Sequence, residues 1–440
     1  MRSLLAGRMR GGLEFRSYVQ TVDRRVVNAS LPKVVVIPLA WGMMEASHPV
    51  VKPGDEVKEG QLLAKPASVM GAPLYSSVPG RVRDIVPVSL PEGEREAVIL
   101  DLAGTFERRA KVRTSDWADM TPEKLWKRLF SSGVIRHGNV PLPIGRFLPP
   151  PGRKAEALVC ACFSAEPWRY TEELLLDLRR EAVAEGLRIL VRTVMPKEVH
   201  LVVPEEERTI SRLLVRDLGD PGIPVRVHHV ARRYPFTSDE MLLELVGGAR
   251  LTWGRLPVDE GFVIAEPSTL LAVRDAVVGG RPVLEQVVLV GGDAVQRPVL
   301  VKVRLGMPVF DLLSQEGTML GPDADPRVFL GGPLSGREVS WLGAPLLPGV
   351  DVVTLLGRGA TGGEEPCIHC SRCAQVCPRG LEPWLLHEAL GRGDGRLLTG
   401  GAIEGCIGCN LCSFVCPSAI PLADRFRDYL EKEREGHGEG

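Results

Sequence analysis

Eight of the ten cysteines fall into two runs of one spacing. Cys367, Cys370, Cys373 and Cys377 form the first; Cys406, Cys409, Cys412 and Cys416 form the second. Each run reads C-x-x-C-x-x-C-x-x-x-C-P and is closed by Pro378 or Pro417. Two-residue gaps let three thiolates converge from one tight loop, and the three-residue gap turns the fourth away toward a second cluster. The spacing therefore predicts one-electron chemistry on two [4Fe-4S] clusters with crossed ligation. Cys367, Cys370, Cys373 and Cys416 hold one, and Cys406, Cys409, Cys412 and Cys377 hold the other. The prolines end each turn and remove a backbone donor where the chain changes direction. Paired zinc sites use C-x-x-C but do not call for a third cysteine and a C-P after it. Disulfides suit a secreted chain, and no export signal is visible.

Short helices are expected to carry these runs. WLLHEAL (residues 384–390) has helical spacing, with Gly391, Gly393 and Gly395 to end it. A second helix follows Pro421 in ADRFRDYLEKERE. A helical ferredoxin unit is thus expected over residues 360–432, with a frayed polar tail at 433–440. Arg372 and Arg379 lie beside the first run, where a cation could raise its potential or meet an acidic partner. The default expectation for both is a solvated charge.

At 440 residues the chain is too long for one small core, and three or four domains are expected. After an N-terminal segment (1–30), residues 31–105 are rich in Val, Gly and Pro. VVKPGDEVKEGQLLA (50–64) and APLYSSVPGRVRDIVPV (72–88) alternate about Pro-Gly turns. They look like two halves of a biotinyl/lipoyl-type β-sandwich. Carrier domains of that type place a lysine at the tip; here Lys65 lies just before the tip, so a docking sandwich is expected and not a modified carrier. Residues 115–250 alternate helix and strand patterns, which predicts α/β layering on a largely parallel sheet. TPEKLWKRLFSSG (121–133) reads as helix, ALVCACF (157–163) as buried strand and YTEELLLDLRREAVAEG (170–186) as helix. LRILVRTV (187–194) reads as strand and EEERTISRLLVRDLG (205–219) as helix. Cys160 and Cys162 are read as buried structural thiols on opposite faces of their strand. Residues 255–348 read as β-rich, with a short helix in MPVFDLLSQEG (307–317), an order like that of a β-grasp unit. Gly331, Gly332, Pro333 and Gly336 make a steep turn there.

Composition narrows the function classes. A net charge of −1 gives no broad electrostatic footprint for nucleic acid. The longest apolar stretch, VVVIPLAWGMM (34–44), is too short to span a bilayer and holds a proline. Membrane contact is therefore expected only through partner subunits. Oxygen-labile clusters and reduced thiols point to the cytoplasm, or to its side of the cell membrane.

Over roughly residues 30–430 the chain resembles the C subunit of the Rnf electron-transport complex. PVVKPGDEVKEGQ, FLGGPLSG and CIGCNLCSFVCPSAIPL carry the resemblance. It implies a sandwich, an α/β unit like the flavin- and NADH-binding subunit of respiratory complex I, an SLBB-type β-grasp unit and a two-cluster ferredoxin domain. Such proteins are peripheral members of a membrane complex that couples ferredoxin and NAD redox chemistry to ion movement. The implied partners are the other subunits of a redox complex and a ferredoxin-like donor or acceptor. Related soluble proteins feed electrons to cobalamin or amino-acid reductases.

The flavin region departs from the family pattern. The family loop G-x-G-G-A-G-F-P is here Arg136-His137-Gly138-Asn139-Val140-Pro141-Leu142-Pro143, which keeps only Gly138 and Pro143. Glycines in such loops let backbone N–H groups approach phosphates, and Pro141 removes one donor. A-E-C-E-P is reduced to Ser164-Ala165-Glu166-Pro167, with one carboxylate. Y-P-x-G-G-E-K has become Tyr234-Pro235-Phe236-Thr237-Ser238-Asp239-Glu240, with an anion in place of the lysine. The fold is expected to remain while binding of FMN and NADH is lost. Arg136, His137 and Glu166 are then surface or core residues, or line a remodelled pocket. Three functions stay open: an electron-transfer subunit, an NADH-oxidising flavoprotein, and a structural Fe-S scaffold.

Overall fold

The computed structural model describes residues 10–15, 23–106, 117–138, 140–315, 325–357, 363–393, 398 and 402–437. Asn139, Gly395, the end of the 307–317 segment and the last residues of the tail lie outside them.

The Pro-Gly turns of the first unit set up two facing sheets. Val34–Pro38 pairs antiparallel with Gly93–Leu102, which pairs with Gly80–Leu90, and Glu56–Val57 lies at the edge. Ser47–Pro49, Leu62–Pro66 and Leu74–Tyr75 form the other sheet. Val35, Leu63 and Leu100 are fully buried between them. Lys65 sits within a ladder opposite His48, and not at a presented hairpin tip.

The α/β unit is built on a four-stranded, all-parallel sheet. Its order is Val225–Val230, Glu198–Pro204, Ala157–Ala161 and Phe262–Ala265. Helices Pro122–Ser131, Thr171–Val194, Arg208–Leu218 and Pro267–Val278 accompany it. Three expectations need correction. LRILVRTV is the last part of helix Thr171–Val194, and not a strand. Its apolar residues Leu187, Leu190 and Val194 recur at helical spacing, and Gly186 does not end the helix. That glycine is a packing residue: a Cβ there would overlap the Leu270 carbonyl oxygen of helix Pro267–Val278. The unit also runs past residue 250, because Phe262–Ala265 pairs beside Ala157–Ala161. Finally, Cys160 and Cys162 lie on one face, their sulfurs 3.6 Å apart. The period-two alternation of a strand places residues i and i+2 together. Both are buried, as expected.

The next unit is a six-stranded mixed sheet. Its order is Asp23–Asn28, Val299–Arg304, Glu285–Gly291, Val352–Leu356, Arg327–Leu330 and Arg337–Glu338, with helix Val309–Leu313 beside it. It therefore extends beyond residue 348 and takes in a strand of the N-terminal segment, which pairs parallel with Val299–Arg304. Leu13–Glu14 pairs with Arg233–Tyr234 of the α/β unit. The N-terminal segment is thus a strap across two units. No local pattern marks such pairing, because its partners are distant in sequence.

Among the described residues no helix is long and apolar enough to cross a membrane. The cysteine-rich unit is helical, with Arg372–Val376, Pro383–Arg392, Leu411–Phe414 and Leu422–His437. Gly393 ends the second of these in the left-handed conformation, as a C-terminal glycine should.

Candidate functional site

The two cysteine runs share left-handed positions at matching places. His369 and Ser371 in the first, and Gly408 and Asn410 in the second, all adopt positive φ. These left-handed residues curl each C-x-x-C-x-x-C around its own interior. The backbone N–H of His369 points at the Cys367 sulfur, and that of Gly408 at the Cys406 sulfur, each at 3.4 Å. Leu381 N–H does the same for Cys377 at 3.4 Å. Amide donors aimed at sulfur stabilise thiolate charge and, in iron–sulfur proteins, help set potential.

The fourth cysteine of each run lies toward the other run. Cys367, Cys370, Cys373 and Cys416 line one common cavity, together with Trp384 and Ile420. Cys377 interacts electrostatically with Cys406, Cys409 and Cys412. Burial pushes the Cys406 thiol up to about 11 and the Cys412 thiol up to about 12, and raises Cys409 as well. Thiols desolvated in this way stay protonated at neutral pH unless a cation holds them as thiolates. All ten cysteines are free. Among the described residues no three His, Cys, Asp or Glu side chains close on a point as ligands of a single ion do. A cubane asks for a different arrangement, with each thiolate on its own iron around a body, and two nests of four cysteines fit that donor set.

The nests differ in depth. Around the first, Cys370 is exposed and Ile368 is 66% exposed. Around the second, Ile407 and Cys409 pack against Phe163, Tyr234 and Phe236 of the α/β unit. The strap adds to this cover. Gly12 N–H donates to the Val376 carbonyl at 2.8 Å, and a Cβ on Gly11 would lie 2.5 Å from the Cys377 carbonyl oxygen. Arg372 is at the mouth of the first nest. Arg379 is not the solvated charge expected. It is buried, donates to Glu244 at 2.9 Å and to the Leu251 carbonyl at 3.2 Å, and burial pushes its pKa down. It ties the cysteine unit to helix Asp239–Gly247.

The inner nest abuts the carboxyl ends of the parallel strands, where open α/β sheets bind ligands. Tyr234 is buried there, within the electrostatic reach of Glu166, Arg169 and Cys409. Glu166 follows strand Ala157–Ala161 and is latched by the Gly-rich loop of the six-stranded unit. Leu334 N–H and Ser335 N–H donate to Oε1 at 2.8 and 2.7 Å, and Ser335 Oγ donates to Oε2 at 2.6 Å. A Cβ on Gly332 would overlap that carboxylate. The loop is therefore more than the steep turn expected: it binds Glu166. Arg169 reinforces the seam, bonding Asp351 at 2.9 Å and lying 3.6 Å from Glu166. Sequence reasoning missed Arg169, Asp351 and Glu266, since none belongs to a motif.

The degenerate loop forms a two-stranded hairpin, Ile135–Arg136 against Leu142–Pro143. Arg136 is buried between Asp239, at 2.5 and 2.6 Å, and Glu266, at 2.5 Å. Burial opposes its charge, but the two carboxylates hold its pKa well above the ordinary value. Glu266 is itself pushed up by burial, and Glu172 beside it rises to about 8. His137 is buried, its backbone N–H donating to Thr269 Oγ1, and burial pushes its imidazole down to about 4. Below pH 6.5 the unfolded imidazole takes up a proton that the folded one refuses until about pH 4. Stability from this group is full above 6.5 and is lost as pH falls through that window, by about 3 kcal/mol. Urea unfolding at several pH values should show this slope, and His137→Asn should flatten it.

The family model of the RnfC barrel sandwich hybrid domain matches residues 7–103, and that of the Nuo51 FMN-binding domain matches residues 131–275. The C subunit of a proton-translocating ferredoxin:NAD(+) oxidoreductase complex from Clostridium ljungdahlii is 27% identical over 372 residues, covering 83% of this chain and 80% of its own. The C subunit of an ion-translocating oxidoreductase complex is 31% identical in Pseudomonas aeruginosa, over 82% of this chain and 47% of the relative. Its Salmonella gallinarum counterpart is 32% identical, over 80% of this chain and 53% of the relative. The chain thus spans about half the length of these last two relatives. An NAD+-reducing [NiFe]-hydrogenase in the H2-reduced state shares the fold at a TM-score of 0.51 and 16% identity, over 74% of this chain and 66% of that one.

Proposed function

We propose, from the premise that this chain is an RnfC-like protein, that it is the electron-transfer iron–sulfur subunit of an Rnf-type or related redox complex. One observation carries the reading: two four-cysteine nests with crossed membership, one at the surface and one against the α/β sheet. Held there, two [4Fe-4S] clusters would supply reversible one-electron chemistry at potentials set by ligation, hydrogen bonding and burial.

The chain's own residues do the rest. Cys367, Cys370, Cys373 and Cys416 present a site that a partner protein can approach, with Ile368 and Arg372 at its rim. Cys377, Cys406, Cys409 and Cys412 are partly covered, Cys409 by the apolar cluster that holds Tyr234 and Phe236, and Cys377 by the N-terminal strap. Amide donors at Cys367, Cys377 and Cys406 favour added negative charge at those sulfurs. The helix between the strands of the six-stranded unit supports the β-grasp reading of that unit. Partners on this reading are the other subunits of a redox complex and a ferredoxin-like donor or acceptor. Membrane contact comes through those subunits, on the cytoplasmic side.

Anaerobic iron and sulfide analysis tests the proposal. The expected result is about eight irons and eight sulfides per chain, with an EPR signal on dithionite reduction. Bound zinc, or far fewer irons, would overturn it. Clusters that no reductant can titrate would favour the structural scaffold instead.

A further inference from the structure

The match to an FMN-binding domain family predicts a flavin at the crevice beside the inner nest. The residues that stand there do not fit one. A phosphate needs backbone N–H groups that converge without side chains in the way, or a cation free to meet it. The loop that should provide the donors is a hairpin here, with Pro141 lacking an N–H and Leu142 buried. Its remaining glycine has no room for a guest: a Cβ on Gly138 would already lie 2.9 Å from Glu266 Oε1. The cation nearest that loop, Arg136, is spent on Asp239 and Glu266 and buried with them. Arg169, on the Glu166 side, is held by Asp351 and Glu166. Glu172 stands in the same network, hydrogen-bonded to Ser268 at 2.8 and 2.6 Å. Even without Glu172, the carboxylates of Asp239, Glu266, Glu166 and Asp351 outnumber the guanidinium groups of Arg136 and Arg169, and a dianionic phosphate would enter against local repulsion.

We infer that the crevice of this chain holds neither FMN nor a pyridine nucleotide, and that its charged residues act as an ion-paired clasp. Electrons then reach the cysteine nests from a one-electron protein donor, and not by hydride transfer from a nucleotide. The inference rests on the two-cluster reading for its consequence, but its structural claim is independent. The clasp has two parts. Arg136 joins the degenerate hairpin to helix Asp239–Gly247 and to the end of strand Phe262–Ala265. Glu166 and Arg169 join the α/β unit to the six-stranded unit.

The test uses the full chain, prepared anaerobically with its clusters. Flavin released by acid is measured, and the protein is then titrated with FMN, followed by flavin fluorescence, and separately with NADH, followed by cluster absorbance. The expected result is released flavin far below one per chain, no saturable quenching of FMN, and clusters bleached by dithionite but not by NADH. Saturable one-to-one FMN binding, or bleaching by NADH, would overturn the inference. Missing iron and no response to dithionite would instead sink the two-cluster reading, so the two failures are distinguishable. A second measurement reads the clasp. Arg136→Met should lower the thermal midpoint strongly, while Arg136→Lys, which keeps the charge without the fork, should recover part of that loss. If Arg136→Met yields no folded protein, Arg136→Lys against the native chain decides. An unchanged midpoint in the variant measured rules out the clasp.

Discussion

Cys416→Ala should remove the cluster of the first run and leave that of the second. Cys416 belongs by sequence to the second run, yet it lines the cavity of Cys367, Cys370 and Cys373. Removing it leaves three thiolates around the outer nest, and a [4Fe-4S] cluster with three protein ligands at a solvent-open site is easily lost or degraded. Iron should fall from about eight to about four per chain, and one of two EPR components should vanish. Cys377→Ala is the mirror experiment. Its loss should strike the nest of Cys406, Cys409 and Cys412, with which Cys377 interacts. The two variants should therefore lose different components, each belonging to the run opposite the mutated residue. If each variant lost the cluster of its own run, crossed ligation would be wrong. The inner loss should also cost more stability, because that nest is packed against Tyr234 and Phe236 and its collapse opens the α/β interface.

Glu166→Ala should destabilise the whole chain by about 3–5 kcal/mol, the range for removing one partner of a buried ionic network. The carboxylate accepts from Leu334 N–H, Ser335 N–H and the Ser335 hydroxyl, and lies beside Arg169. Alanine would leave one buried and one half-buried amide without acceptors and take one carboxylate from the buried guanidinium that also bonds Asp351. Glu166→Gln keeps the shape and one acceptor but no charge, so an intermediate loss is expected. Denaturant unfolding of the three proteins measures this. A loss below about 1 kcal/mol for Glu166→Ala would mean the latch is a surface contact, whatever its burial. Iron content per folded chain should hold in both variants, since Glu166 is bound to Leu334 and Ser335 and lies outside the cavity lined by the cysteines.

How much of this could be read in advance varies with range. The cysteine pattern was legible because each run packs four cysteines into eleven residues, a local spacing on which the two-cluster proposal rests. The departures of the glycine-rich loop were legible in the same local way, at Arg136 and Pro141, and Glu240 in a separate short motif. The sandwich followed from Pro-Gly turns between alternating residues. LRILVRTV misled because its β-branched residues suit a strand while its Leu187–Leu190–Val194 spacing suits a helix, and the neighbouring helix Pro267–Val278 decided the matter by packing on Gly186. The edge of the α/β unit was misplaced because Phe262–Ala265 looks like any short buried strand; only its parallel partner tells which sheet it joins.

By itself, then, the sequence determined the repeated cysteine spacing and the substitutions in the glycine-rich loop, on which the proposals rest, since each is a pattern of residues close along the chain. Only the tertiary structure decided that Glu166 is a latch, that Arg136 sits between two carboxylates, that Arg379 is buried, and that residues 10–15 strap the inner nest. Each of these joins groups far apart in sequence, and burial and ion pairing are properties of what folding brings alongside, which no local spacing encodes.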